Sequence, residues 1–210
     1  MKINNIHTLG SAFIVFVSPM AHAQQPGAAR PAGPAAAAVR RVGATKTVEA
    51  PTIDGVLEEP AWQRATPIDR FVQIEPAEGE LATEKTEVRI LYTSTAIYVG
   101  VTCFDSEPSK IVTTDSRRDS ALNGQDSFQM ILDTYHDRQN GFIFGTNAVG
   151  IQYDAQVRNE GETLRGGPPS GLGGGNAGGA GGGVNTNWDG SWAVKTRVTD
   201  TGWKIGRAHV

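Results

Sequence analysis

The sequence predicts an all-β, antiparallel fold centred on a meander, and the stretch from Asp126 to Val157 is the main reason. Phe128, Met130 and Leu132 alternate with Gln129 and Asp133, the period-2 pattern of a strand with one apolar side. Asn140-Gly141 offers the positive-φ position that a reversal needs. Phe142, Phe144 and Thr146 resume the alternation, Asn147 to Gly150 turn the chain again, and Ile151, Tyr153, Ala155 and Val157 give a third apolar face. A second observation is that roughly seven or more short strands recur between turn signals, as in a β-sandwich. A third is Ile97 to Phe104, almost continuously apolar, which suits a central strand covered on both faces.

The other elements follow in order. The domain begins near Thr45. Ile53-Asp54-Gly55 with Leu57, Glu59 and Trp62 reads as a strand end, a turn and a short helix, whose indole packs under a sheet. Ala65 to Ile74 adds an edge strand, and Glu75 to Glu84 is an acidic loop. Val88, Ile90 and Tyr92 form a strand joined to Ile97–Phe104 by the turn Thr93 to Ala96. Ile111 to Gly124 is charged and irregular, with Arg117, Arg118 and Asp119 together just before the meander. Residues 160–183 form a Gly-rich loop whose glycines follow no strand and lack a G-K-[ST], so they cradle no phosphate. Trp192, Val194, Thr196 and Val198 alternate in a further strand, and Trp203-Lys204 opens another.

Composition narrows the function. The chain has 210 residues and a net charge of −3, enough for one ordinary domain with tails. No cluster of Lys and Arg is interleaved with aromatics, which argues against nucleic acid as a partner. A single cysteine, Cys103, excludes an internal disulfide framework and reads as a small buried hydrophobe.

Both ends carry unusual segments. Met1-Lys2, the apolar run Leu9 to Val17 and Ala21-His22-Ala23 make residues 1–23 a secretory signal, which implies export to the periplasm, outer membrane or cell exterior. Residues 24–44 are rich in Pro, Ala and Gly and read as a disordered linker. At the other end, Ile205 to Val210 changes character abruptly and matches the translation of a sequencing-adapter read-through. The expectation is a gene clipped at about Lys204, with 205–210 a non-native tail and a sandwich incomplete at its C-terminal end. Such a product has an unpaired edge and aggregates when expressed alone.

For chemistry, the register that keeps apolar sides together gathers Gln129, Gln152, Asp154 and Gln156 on one polar side of the meander, a surface suited to hydroxyl groups. Catalysis finds little support. His136 lies in the turn Tyr135-His136-Asp137-Arg138, and no G-x-S-x-G supplies a nucleophile elbow. A binding module, not an enzyme, is the reading.

Taken together, Ile53-Asp54-Gly55, Leu57, Glu59 and Trp62, then Val88-x-Ile90-Leu91-Tyr92, Ile97-Tyr98-Val99-Gly100, Asp126-Ser127, Asp133-Thr134 and Asn187-Trp188-Asp189 resemble the family 9 carbohydrate-binding-like domain. The likeness spans about Thr45 to Lys204 and is nearest to the version that precedes an outer-membrane β-barrel-like region in a bacterial exported family. It implies a jelly-roll β-sandwich and a sugar held between two tryptophans, with amides and charged groups on its hydroxyls. One clamp tryptophan is replaced here by Leu122-Asn123-Gly124, and the other falls beyond Lys204. An acidic position on the Phe128–Leu132 strand is matched by Gln129, and an arginine-x-asparagine pair by Gly145 and Asn147. Ligand-binding candidates are therefore Gln129, Asn147, Gln152, Asp154 and Trp188, with Trp192 a further stacking platform. Replacing Gln129 and Asn147 together is expected to remove sugar binding at little cost in stability. Calcium carried by sugar-binding members points to Asp105, Asp119 and Asp126.

The function implied is an exported module of a longer protein involved in polysaccharide binding or breakdown, its partners a plant or microbial polysaccharide or oligosaccharide and its own missing C-terminal region. The alternative is a structural cap or plug of an outer-membrane barrel without a sugar ligand, which the missing clamp tryptophan favours. A haem-binding relative is disfavoured because no C-x-x-C-H occurs.

Overall fold

A computed structural model describes residues 42–158 and 183–209. The signal segment, most of the linker, residues 160–182 of the Gly-rich loop and Val210 lie outside the described residues.

The elements are β1 (Thr45–Lys46), α1 (Pro60–Arg64), β2 (Thr86–Tyr92), β3 (Ile97–Phe104), β4 (Ser127–Leu132), β5 (Gly141–Asn147), β6 (Tyr153–Val157), β7 (Val184–Asn185), β8 (Trp192–Thr199) and β9 (Gly202–His209). They build two sheets, β1-β2-β3-β9-β8 and β4-β5-β6-β7, packed as a sandwich. The expected β2–β3 hairpin and the β4–β5–β6 meander are both present and antiparallel. Among the described residues only β1 pairs in parallel, along β2.

Alternation decides what each strand buries. Val88 faces Val101, and Val101 faces Ile205, so these side chains share the inner surface of the first sheet. With Val99, Val194, Trp192 and Trp203 they meet Phe128 and Phe144 of the second sheet in one core. β3 lies between β2 and β9 and is covered on its outer side too, because Gly100 leaves room for Leu57 and Trp62. Trp62 on α1 is fully buried there, as the sequence implied.

Four expectations need correction. The segment 65–74 does not form an edge strand; it contributes isolated bridges, Ile68 to Val88 and Val72 to Leu81. In the β4–β5 turn the positive φ angles belong to His136 and Arg138, whereas Gly141 is needed because a Cβ there would sit 2.7 Å from the Leu132 carbonyl oxygen. The strand opened by Trp203 does not stop at Lys204 but runs to His209, with Ile205 buried opposite Val101 and Thr196.

The fourth correction reorganises the site. Gln129 pairs with Gly145 and Gly145 with Tyr153, which puts Gln129 on the outer side with Tyr153, Ala155 and Val157. Met130 pairs with Phe144 and Phe144 with Asp154, which puts Asp154 on the inner side. The continuous polar surface read from the sequence therefore does not exist. The physical reason is that both sides of this sheet are covered: Phe128 and Phe144 face the first sheet, while Ile143, Tyr153, Ala155 and Val157 are sealed outside by Leu122. When both sides are apolar, hydrophobic alternation no longer fixes which side is which.

Cys103 is buried on the inner surface of β3. Loss of water pushes its thiol up to about 12, Asp126 adds to the rise, and a Thr86 hydrogen bond opposes it. The folded protein is expected to resist iodoacetamide at pH 8, and the same thiol to react readily in denaturant. Rapid labelling of the native chain, read by mass spectrometry, would contradict this placement.

Candidate functional site

The polar groups nominated by the sequence are distributed among three environments. Asn147, at the end of β5, is fully buried. Its Nδ2 donates to the Asp115 carbonyl (2.9 Å) and to Gln125 Oε1 (2.9 Å), and its Oδ1 accepts from the backbone N–H groups of Val149 and Ile151. Every hydrogen-bonding capacity of that amide is used. It ties the loop before β4 to the β5–β6 turn, so its replacement leaves several buried groups without partners, and the expectation that it could be changed at little cost is wrong.

Gln129 is also buried, on the outer side. Leu122 packs over Gly145 with its methyl against the place where a Cβ would stand, flanked by Gln129 and Tyr153. The Gln129 Oε1 lies beneath this cover with no hydrogen-bond partner among the described residues. The leucine thus occupies the space over the Gln129 position.

The third environment is the inner end of β6. Asp154 is fully buried, and the loop Arg118 and Asp119 and the β7–β8 loop close over it. Arg118 Nη2 donates to Asp154 Oδ1 at 2.7 Å and also to Asp189. Its Nη1 donates to Gln152 Oε1 at 2.8 Å, while Gln152 Nε2 donates to the Trp192 carbonyl at 2.6 Å. The second oxygen of Asp154 accepts from the Gly190 N–H at 2.5 Å. Asp119 receives the Asp154 N–H at 3.4 Å, and partial burial raises its carboxyl above the ordinary carboxylate range. One guanidinium therefore joins three chain segments that are far apart in sequence. The charges are compensated at the buried end and open to water at the other, where Asp189 is 75% exposed.

Trp188 stands beside this cluster. Its ring lies 4.5 Å from Phe142 and 5.8 Å, edge-on, from Phe144, which fixes it at the rim of the sandwich with part of its surface open. Gly190 passes so close that a Cβ would be 2.8 Å from the indole. Trp192, by contrast, is buried against Phe144 and is core rather than platform.

Farther inside, Arg207 of β9 projects between the sheets. Its guanidinium stacks 4.0 Å from the Phe144 ring centroid and 4.7 Å from that of Trp192. Nη1 reaches the Met130 sulfur, but Nε and Nη2 have no hydrogen-bond partner among the described residues. Burial pulls the group down to about 9, with the Asp154 charge opposing the fall.

The carboxylates proposed for calcium are employed separately. Asp105 accepts the Glu107 N–H, Asp126 the Val112 N–H, and Asp119 the Asp154 N–H. Among the described residues no three His, Cys, Asp or Glu side chains gather as a metal-ion ligand set.

Sequence reasoning missed Arg118 as the organiser of the site, although it noted the Arg117-Arg118-Asp119 run. A lone aspartate on a strand with apolar neighbours, Asp154, was the available signal, because such a group must find a cation.

No protein-family model matches the chain, and no curated protein does. Among solved structures it is similar to a family 9 carbohydrate-binding module from Caldicellulosiruptor kristjanssonii in complex with glucose. That likeness has 13% identity and a TM-score of 0.49, covering 79% of this chain and 66% of that one. It is also similar to a family 9 module of the same organism in complex with cellotriose, with 14% identity and a TM-score of 0.46 over 81% and 67% of the two chains. This chain thus spans about two-thirds of the length of those modules. No residue or ligand is transferred from them at this level of identity.

Proposed function

We propose that the chain is a non-catalytic saccharide-binding module of a longer exported protein that handles polysaccharide. The observation that carries this reading is Trp188, an aromatic ring pinned by Phe142 and Phe144 yet partly open, next in the chain to Asp189, whose exposed carboxylate pairs with Arg118. A pyranose offers an apolar C–H face for stacking and a rim of hydroxyls for charged and amide partners, so this combination suits it. Calorimetric titration of the protein with xylan and cellulose oligosaccharides should give saturable binding. Trp188→Ala is expected to weaken it about 10- to 100-fold, as loss of a central aromatic anchor does. Unchanged affinity in that variant would remove Trp188 from the site.

A second reading, a structural cap for a downstream barrel without a sugar ligand, is favoured by two observations: Leu122 fills the space over Gln129, and Asn147 is saturated internally. A glycan array without hits, together with crosslinking of this domain to its own downstream region in the longer protein, would select the cap.

A further inference from the structure

The sequence contains two Asn-Gly pairs, Asn123-Gly124 and Asn140-Gly141. A glycine after asparagine exposes that asparagine to self-modification. No Cβ shields the following amide nitrogen, and the chain can turn that nitrogen toward the side-chain carbonyl carbon. The two pairs are alike in the unfolded chain, and the fold separates them.

Asn140 is held. Its Nδ2 donates to Asp137 Oδ2 at 2.7 Å, and its backbone N–H donates to Asp137 Oδ1 at 2.8 Å. Gly141 is buried, opens β5 and pairs with Val157. Ring closure there would break charge-assisted hydrogen bonds and distort the start of a strand. Asn123, by contrast, is exposed, and its carboxamide has no hydrogen-bond partner among the described residues. Gly124 is exposed too, at a φ of +71°, and a Cβ on it would meet nothing within 4 Å. The carboxamide is free to swing against the next amide.

The place of Asn123 gives its modification a consequence. Gln125 Nε2 closes this turn by donating to the Ala121 carbonyl at 2.7 Å, and Ser127 Oγ donates to the Leu122 carbonyl at 3.3 Å. These bonds hold Leu122 over Gly145, between Gln129 and Tyr153.

We propose that Asn123 is a self-modification site and that its conversion to isoaspartate releases the Leu122 cover from Gln129. The Gly124 nitrogen bonds to Asn123 Cγ, the Cγ–Nδ2 bond breaks, and ammonia leaves with the proton that the nitrogen gives up. Water, the sole co-reactant, then opens the cyclic imide. Its attack at Cγ yields aspartate. Its attack at the main-chain carbonyl yields isoaspartate, in which the backbone runs through Cβ and Cγ. That product lengthens the main chain by a methylene between Ala121 and Gln125, so the bond that closes the turn no longer fits.

The test is incubation of the native protein at pH 8 and 37 °C with sampling over weeks, beside the same chain in denaturant. Trypsin puts the two asparagines on separate peptides, 119–138 and 139–158, in which mass spectrometry reads aspartate and isoaspartate. Similar rates are expected in denaturant. In the native protein Asn123 should react about tenfold faster than Asn140 or more, since a hydrogen bond to a charged group is worth at least that factor. Hydrogen exchange of the aged protein should quicken in the segment 143–155, around Gly145 and Tyr153. It should stay slow in Asn123→Gln aged alongside, a change at an exposed position that leaves the fold intact. Equal native rates, or faster loss at Asn140, overturn the site. An isoaspartate form whose exchange matches the fresh protein overturns the release of Leu122.

Discussion

Replacing Arg207 by methionine is expected to stabilise the fold by about 1–4 kcal/mol, taking the range seen when buried ion pairs give way to well-packed apolar side chains. The opposing terms can be compared. Stacking on Phe144 and Trp192 returns roughly 0.5–2 kcal/mol. Taking a cation out of water costs several kcal/mol, and Nε and Nη2 find no partner to recover it. Methionine keeps the length and fills the same space beside Met130. For a chain of this size each kcal/mol moves the unfolding midpoint by about 2–4 °C, so a clear upward shift in thermal unfolding is anticipated. The effect should depend on pH with a defined sign. Burial lowers the folded guanidinium to about 9, below the value it has in the unfolded chain. Above pH 9 the unfolded state therefore binds more protons, and the wild-type protein gains stability as pH rises. The advantage of the methionine variant should shrink between pH 8 and 10. A variant no more stable than its parent at pH 7 would show that Arg207 has a compensating partner.

The opposite sign is expected at Arg118. Arg118→Ala leaves the Asp154 carboxylate buried without its hydrogen-bonded cation, keeping the Gly190 N–H and the more distant Arg207 charge, and the anticipated loss is about 3 kcal/mol. Chemical denaturation should show a lower midpoint with an unchanged slope. The double variant Arg118→Ala, Asp154→Ala should lose much less than the sum of the single changes, since removing both partners leaves no uncompensated charge. Additive losses would mean that the ion pair is a surface ornament despite the burial of Asp154. The exposed partner, Asp189, should matter little to stability, because water screens it.

These residues also mark where the sequence was legible. β2, β3 and the meander could be read because Val88, Ile90, Phe128 and Phe144 alternate with a period that only strands share, and because turn residues separate them. Trp62 could be assigned to the core because a large ring on a very short helix has little else to pack against. The faces of β6 could not be read, since Tyr153, Ala155 and Val157 pack under Leu122 while Asp154 turns inward, and alternation is symmetric to that exchange. The Arg118–Asp154–Asp189 cluster was hidden for a different reason. Its members are separated by 36 and 71 positions and meet only through loop closure, which no local pattern records. Asn147 was nominated for a ligand, whereas its amide satisfies the Asp115 carbonyl, Gln125 and the backbone N–H groups of Val149 and Ile151.

The place of β9 in the first sheet has a kinetic consequence. It lies between β3 and β8, and its pairing with β3 joins positions roughly a hundred residues apart, whereas β4, β5 and β6 pair with their immediate neighbours along the chain. Closing so long a loop precedes any reward from the contacts it makes, so the meander should form early and the β3–β9 seam late. Substitutions in the meander should then slow refolding, while those along the seam, such as at Ile205, should chiefly quicken unfolding. The persistence of the native state would be governed by the seam, and the speed of reaching it by the meander.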